Sequence, residues 1–241
     1  MTLHRSFYLF ITLMVLILSQ SVFATIEVTT VEGLNRSIGE IESYQFTAQQ
    51  DKFSSQTLSQ HFRSEYDAKG VAVYFDQQQL RLELNSIQRA DYSISTSSGM
   101  LHQDGQRLIR TVSTGIKEWY ENTSAGLEHG IDLKHKPEGT GKLTVLFDVQ
   151  GAVPSQHGSS IRLHANNRLF DYSKLVVIDS QGNKIPAEMG VTDALKIALV
   201  VDDEHAHYPL SIDPLLSEWV ASDFYQVASG GNYSCALDDS G

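Results

Sequence analysis

An all-β, antiparallel fold, either a sandwich or stacked meander sheets, is predicted by three observations. The dominant hydrophobic period is two, turn signals recur at close and fairly regular spacing, and helical patterning is weak. Residues 71–75 (Val-Ala-Val-Tyr-Phe), 80–84 (Leu-Arg-Leu-Glu-Leu), 143–147 (Leu-Thr-Val-Leu-Phe), 175–178 (Leu-Val-Val-Ile) and 197–201 (Ile-Ala-Leu-Val-Val) are short β-rich runs. Several alternate apolar with polar residues, as a strand with one buried face requires. Between the runs lie Asp67-Ala-Lys-Gly70, Gln103-Asp-Gly105, Pro137-Glu-Gly-Thr-Gly141, Asn166-Asn167 and Gln181-Gly-Asn183, all residues that favour turns.

In chain order, residues 1–24 come first. His4 and Arg5 precede a twelve-residue run, 7–18, that is apolar apart from Thr12, and Ser-Gln-Ser-Val-Phe-Ala places small residues where a signal peptidase reads. This predicts a secretory signal peptide cleaved after Ala24. The alternative, a membrane anchor, needs about 20 apolar residues, and no Cys follows to carry a lipid. The mature chain, 217 residues from Thr25, would hold 17 basic against 29 acidic residues, a net charge of −12. Such a surface disfavours nucleic acid and anionic membranes, which select clustered Lys and Arg. One cysteine, Cys235, excludes an internal disulfide and reads as a small buried hydrophobe.

Residues 51–66 are the best helix candidate, with Phe53, Leu58, Phe62 and Tyr66 at loosely helical spacing. Phe62, Ser64 and Tyr66 also alternate into the turn at 67–70, which favours a hairpin. Trp119 and Tyr120, after a strand, contribute large apolar area, and Gly126 and Gly130 bracket 127–129 as a short strand or tight turn. Pro209 and Pro214 remove ladder donors at both ends of 208–214, so the strand between them is expected to be short or to lie at an edge. This gives a β-rich domain over 25–214, a linker over 215–226 in which Trp219 packs on a neighbour, and a tail over 227–241.

The chemical candidate is Asp202-Asp203-Glu204-His205-Ala-His207. On an extended strand His205 and His207 would project to one side, and with Asp202 they would suit a divalent metal. The competing reading is a charged hairpin turn joining 197–201 to 208–212. His102, His129, His135, His157 and His164 sit in polar surroundings and read as surface residues. The sequence contains no nucleophile elbow, phosphate loop, dinucleotide fingerprint or zinc-protease helix, so neither catalytic residues nor a cofactor are expected. Asn35, Asn122 and Asn232 match the glycosylation pattern, which has meaning only in a eukaryotic secretory pathway.

Three passages carry a resemblance. The tail, Val227-Ala-Ser-Gly-Gly-Asn-Tyr-Ser-Cys-Ala-Leu-Asp-Asp-Ser-Gly241, resembles the opening of a β-propeller blade of the regulator of chromosome condensation repeat family. It departs from that repeat with Tyr233 in place of the usual His and Cys235 in place of an aliphatic residue. Glu118-Trp-Tyr-Glu-Asn-Thr-Ser-Ala-Gly-Leu-Glu-His-Gly-Ile-Asp-Leu133 is similar to a segment of large secreted bacterial proteins. Tyr208-Pro-Leu-Ser-Ile-Asp-Pro214 is similar to a second signature of the same proteins, placed shortly before propeller repeats of this type or of the FG-GAP type. The resemblance implies a non-catalytic N-terminal region of a secreted or cell-surface propeller-repeat protein, here stopping at its first blade. Its expected partners are proteins or glycans at the cell surface. A single blade cannot bury its own apolar face, so binding by the repeat array is expected to need further repeats. The contrasting expectation is a metal-dependent secreted hydrolase built on residues 202–207.

Overall fold

The computed structural model describes residues 44–96 and 98–219, together with the backbone of 226–230 and 233–237. The expected signal peptide therefore lies outside the described residues. The chain first builds an antiparallel meander from β1 (Thr47–Gln49), β2 (Lys52–Thr57), β3 (Phe62–Asp67), β4 (Gly70–Phe75), β5 (Gln78–Arg89) and β6 (Tyr92–Ser95). It then crosses to a second sheet for β7 (Met100–Asp104), β8 (Arg107–Ser113), β9 (Ile116–Thr123) and β10 (Gly126–Leu133), and returns to the first for β11 (Leu143–Gln150). The strands β12 (Val153–His157), β13 (Ser160–Ala165) and β14 (Arg168–Ile178) join the second sheet, and β15 (Ala187–Val191) and β16 (Ile197–Val201) the first. Strand β17 (Leu210–Glu218) then inserts into the middle of the second sheet.

The result is a sandwich of two antiparallel sheets, ordered β1-β2-β3-β4-β5-β11-β16-β15, with β6 on β5, and β12-β13-β14-β17-β10-β9-β8-β7. Period-two patterning explains both faces. Phe62 and Tyr66 on β3, Val71, Val73 and Phe75 on β4, and Leu143, Val145 and Phe147 on β11 point inward from the first sheet and are buried. Leu127 and Ile131 on β10, Phe170 and Tyr172 on β14 and Ile212 and Leu216 on β17 meet them from the second. Aromatic contacts cross the interface: Tyr66 lies 4.9 Å from Tyr120, and Phe75 5.0 Å from Phe170, between ring centroids. A bulge at the β5–β11 register shift flips the phase of β5, so Leu80, Leu82 and Leu84 are followed inward by Ile87.

The hairpin expected over 51–66 is present: β2 and β3 pair antiparallel around a short 3₁₀ turn, Leu58–Gln60. At 67–70 the Asp67 carboxylate accepts hydrogen bonds from the Lys69 and Gly70 amides, 2.9 and 3.3 Å, which fixes the turn into β4. Other expectations need correction. Trp119 and Tyr120 lie within β9, not after a strand, and Gly126 and Gly130 both belong to the eight-residue β10. The segment 208–214 forms neither a short strand nor an edge: β17 has nine residues and lies between β14 and β10. Pro214 is tolerated there because it faces a β14 bulge at Lys174 and Leu175, where Lys174 has φ 55° and the ladder is already interrupted.

Strand β17 also runs through Glu218, and the Trp219 amide donates to the Leu169 carbonyl at 2.9 Å, so the sandwich extends past the boundary expected at 214. Trp219 packs under Arg162, whose guanidinium carbon is 5.0 Å from the ring centroid. In the tail, β18 (Gln226–Gly230) and β19 (Tyr233–Leu237) pair antiparallel, with Ala228 opposite Cys235. A two-stranded pair does not by itself establish a propeller blade.

Candidate functional site

Residues 202–207 connect β16 of one sheet to β17 of the other and form no hairpin. The crossover is held by Asp203, which is buried against Arg89 at the end of β5. The Arg89 guanidinium donates two hydrogen bonds to the carboxylate, 3.0 and 2.5 Å, and Tyr208 donates a third, 2.6 Å. Arg89 also donates to the carbonyls of Pro137 and Gly141. Burial opposes ionisation of Asp203, and the hydrogen bonds from Arg89 and Tyr208 more than offset it, leaving its pKa below the usual carboxylate value. The expected metal set is dispersed. Asp202 is 3.8 Å from Lys142 and turned to solvent, His205 is exposed, and His207 approaches the buried Asp179 with Nδ1 at 3.4 Å. Among the described residues no group of three or more His, Cys, Asp or Glu side chains is placed to hold a metal ion.

The densest acid-base chemistry lies in the core. Along β9 the inward positions are Ile116, Glu118, Tyr120 and Asn122, and along β10 they are Leu127, His129, Ile131 and Leu133. Glu118 and His129 therefore occupy positions that the period reserves for apolar residues. Arg110, on β8 directly opposite Glu118, donates to its Oε2 through Nε and to the Ala68 carbonyl through Nη1, 2.9 Å. His129 Nε2 is 2.7 Å from Glu118 Oε1, and its Nδ1 is 3.0 Å from Tyr172 Oη. Burial and the Glu118 charge hold the Tyr172 phenol protonated, its pKa well above the ordinary value, and His129 bridges it to Glu118, with Nε2–H donating to the carboxylate, which can only accept. Glu118 stays ionised despite burial, because bonds from His129 and the charge of Arg110 bring its pKa below the usual carboxylate value. Tyr120 stacks on His129 at 5.0 Å, and Phe147 of the opposite sheet closes the other side at 4.9 Å. Arg110, Glu118 and His129 are all inaccessible to solvent. Catalysis needs a reacting atom within hydrogen-bond reach of the base, and none from solution can reach these groups. His129, expected at the surface, is thus a core residue.

An open site lies on the outer face of the second sheet. Register aligns Lys117, Asp132, Ser211 and Ile178 in one row across β9, β10, β17 and β14. Just beyond the strand ends lie Gly115, Lys134, Pro209 and Ser180, and together these residues line a groove of about 720 Å³. A neighbouring row supplies Trp119, whose indole crosses Gly130, donates to Asp132 at 3.0 Å and is covered by the Arg107 guanidinium 3.8 Å from its centroid. Ser211 donates to the same Asp132 oxygen, 2.7 Å. The volume falls within the range of small-ligand sites.

Beside the groove, burial and the charge of Glu128 push the Asp213 pKa up to about 6. The folded state therefore holds a proton more tightly than the unfolded chain. The stability this confers is complete below about pH 4 and lost as pH rises through about 6. Replacing Asp213 with Asn is expected to raise stability above pH 6 by on the order of 2 kcal/mol, with the gain vanishing near pH 4. Thermal melts of both proteins between pH 4 and 8 check this, and parallel curves would contradict it.

Of the residues singled out from sequence, Asp202, His205 and His207 are not brought together, whereas Glu118, His129, Lys117, Asp132 and Ser211 were not recognised as parts of sites. The signal for the core pair was present as a polar residue on the apolar phase of each strand. The groove left none, because its row is assembled from four strands spread over about a hundred residues of sequence. Comparison with known proteins finds no match to the chain among family models, curated proteins or solved structures.

Proposed function

We propose that this chain is an exported, non-catalytic recognition or scaffolding domain, the N-terminal region of a propeller-repeat protein that works at the cell surface or beyond it. One observation carries the reading: the only tightly coupled Arg, Glu, His and Tyr constellation among the described residues is closed inside the sandwich, while the accessible groove offers binding groups, its Ser211 hydroxyl bonded to an Asp132 oxygen that also accepts from the Trp119 indole. The leader-like residues 1–24, the acidic balance and the similarity of 118–133 and 208–214 to segments of secreted proteins support export and the propeller association. Protein or glycan at a cell surface is the partner class. Residues 202–207 are committed to joining the sheets through Asp203 and Arg89, which leaves the hydrolase reading without an assembled centre.

The test is co-sedimentation of the purified chain with insoluble surface polysaccharides and bacterial envelope preparations, beside turnover assays on glycan, ester and peptide panels. Saturable sedimentation with every panel substrate recovered unchanged is the expected result. Turnover of any substrate, or no binding to any surface material, would overturn the reading.

A further inference from the structure

Resting on the recognition reading above, we infer that the groove on the outer face of the second sheet binds a carboxylated glycan, a chain of sugar units bearing uronate groups. Charge is the first argument. The chain is acidic overall, yet its groove is lined by three cations, Arg107, Lys117 and Lys134, against two carboxylates, Asp132 and Asp179, and the Asp179 carboxylate is taken up by hydrogen bonds from Gln181, Asn183 and His207. Among the described residues neither lysine forms an ion pair, whereas the third cation, Arg107, is engaged by Glu121 at 3.1 Å and by the Trp119 ring. Lys117 stands directly opposite Asp132 in the β9–β10 register, a placement that normally makes a cross-strand ion pair. Here Asp132 is turned away, its Oδ1 taken by Trp119 Nε1 and the Ser211 hydroxyl. Lys134 faces Gly115, which has no side chain to engage the ammonium and whose carbonyl accepts a hydrogen bond from the Lys134 N–H at 2.8 Å. Both ammonium groups are therefore available to an incoming anion.

The second argument is what stands between the lysines. Asp132 would repel a plain polyanion, but its other oxygen, Oδ2, and the hydroxyls of Ser180 and Ser211 match the hydroxyl groups of a sugar. Ile178 and Pro209 supply the apolar surface against which a pyranose face packs. A ligand with both carboxylates and hydroxyls satisfies the whole set, and an acidic peptide, rich in carboxylates and poor in hydroxyls, does not. The row from β9 to β14 spans three inter-strand spacings, about 14 Å, which suits an oligosaccharide better than a monosaccharide.

The experiment is calorimetric titration of the intact chain with oligogalacturonate. Its arms are a neutral oligosaccharide of equal length, hexaglutamate peptide, and the Lys117→Ala/Lys134→Ala variant. Both lysines are exposed, so the variant is expected to melt with the wild type, and a melt confirms it. The expected result is saturable binding of oligogalacturonate, weakened by added salt, with at least a roughly tenfold loss in the double variant and with the neutral oligosaccharide. Binding that survives in the double variant, or hexaglutamate binding as tightly as oligogalacturonate, would overturn the inference. So would no binding of oligogalacturonate at all. If the double variant also keeps full sedimentation with surface material, the recognition reading stands and only the groove assignment falls. Loss of all surface binding by the wild type removes both.

Discussion

Replacing Glu118 with Ala is expected to destabilise the sandwich by about 3–5 kcal/mol, because it leaves the Arg110 guanidinium buried without its counter-charge. His129 loses the acceptor for its Nε2–H in the same step. For a domain of this size such a loss lowers the melting temperature by roughly 10 °C or more. The paired replacement Arg110→Met/Glu118→Leu is expected to regain part of the stability, since an apolar pair of similar volume needs no desolvation of charge, while the buried His129 Nε2–H stays without its acceptor. Thermal and urea unfolding of the two variants check both statements. A Glu118→Ala variant within about 1 kcal/mol of the wild type would show that water reaches Arg110 and that the network is not sealed.

Gly130→Ala is expected to be comparably damaging, although it adds one methyl group. A Cβ at residue 130 would lie 1.9 Å from Trp119 Cε2 and 2.0 Å from Cζ2, far inside contact distance. The indole must leave the face of β10, and with it go the hydrogen bond to Asp132 and the stack under Arg107. Trp119 is almost wholly buried, so its release costs on the order of 3 kcal/mol or more. The chain has two tryptophans, and a Trp219→Phe background isolates the signal of Trp119. In that background Gly130→Ala is expected to shift the emission to the red as the ring meets water. An unshifted spectrum would mean that the backbone of β10 moves instead of the ring.

These two positions show what could be read before the fold was known. Alternation in 80–84 and 143–147 and the apolar β-rich run 71–75 pointed to strands, and Asp67 with Gly70 to a turn, because period and turn chemistry are local properties. The strand at 210–218 was misjudged because the rule that proline belongs at edges has an exception that depends on its neighbour. The bulge at Lys174 and Leu175 that accommodates Pro214 is about forty residues away in sequence. The hairpin reading of 202–207 failed for a related reason: Asp203 has its partner in Arg89, more than a hundred residues earlier, and that pair ties the crossover between sheets. Glu118 and His129 were legible as polar intrusions on an apolar phase, but which residues would neutralise them depended on strand order. Strand order also made the groove, since β17 had to insert between β10 and β14 before Ser211 could meet Asp132.

The proposed recognition takes place at an open sheet face of a molecule whose acid-base groups are closed in its core. The most direct test is to incubate the intact chain with an oligogalacturonate hexamer, map amide hydrogen exchange, and then recover and size the sugar. Added protection is expected to be confined to the ends of β9, β10 and β17 around Lys117, Asp132, Lys134 and Ser211, with the hexamer recovered whole. Shortened sugar, or protection on the outer face of the first sheet with none at this groove, would contradict it.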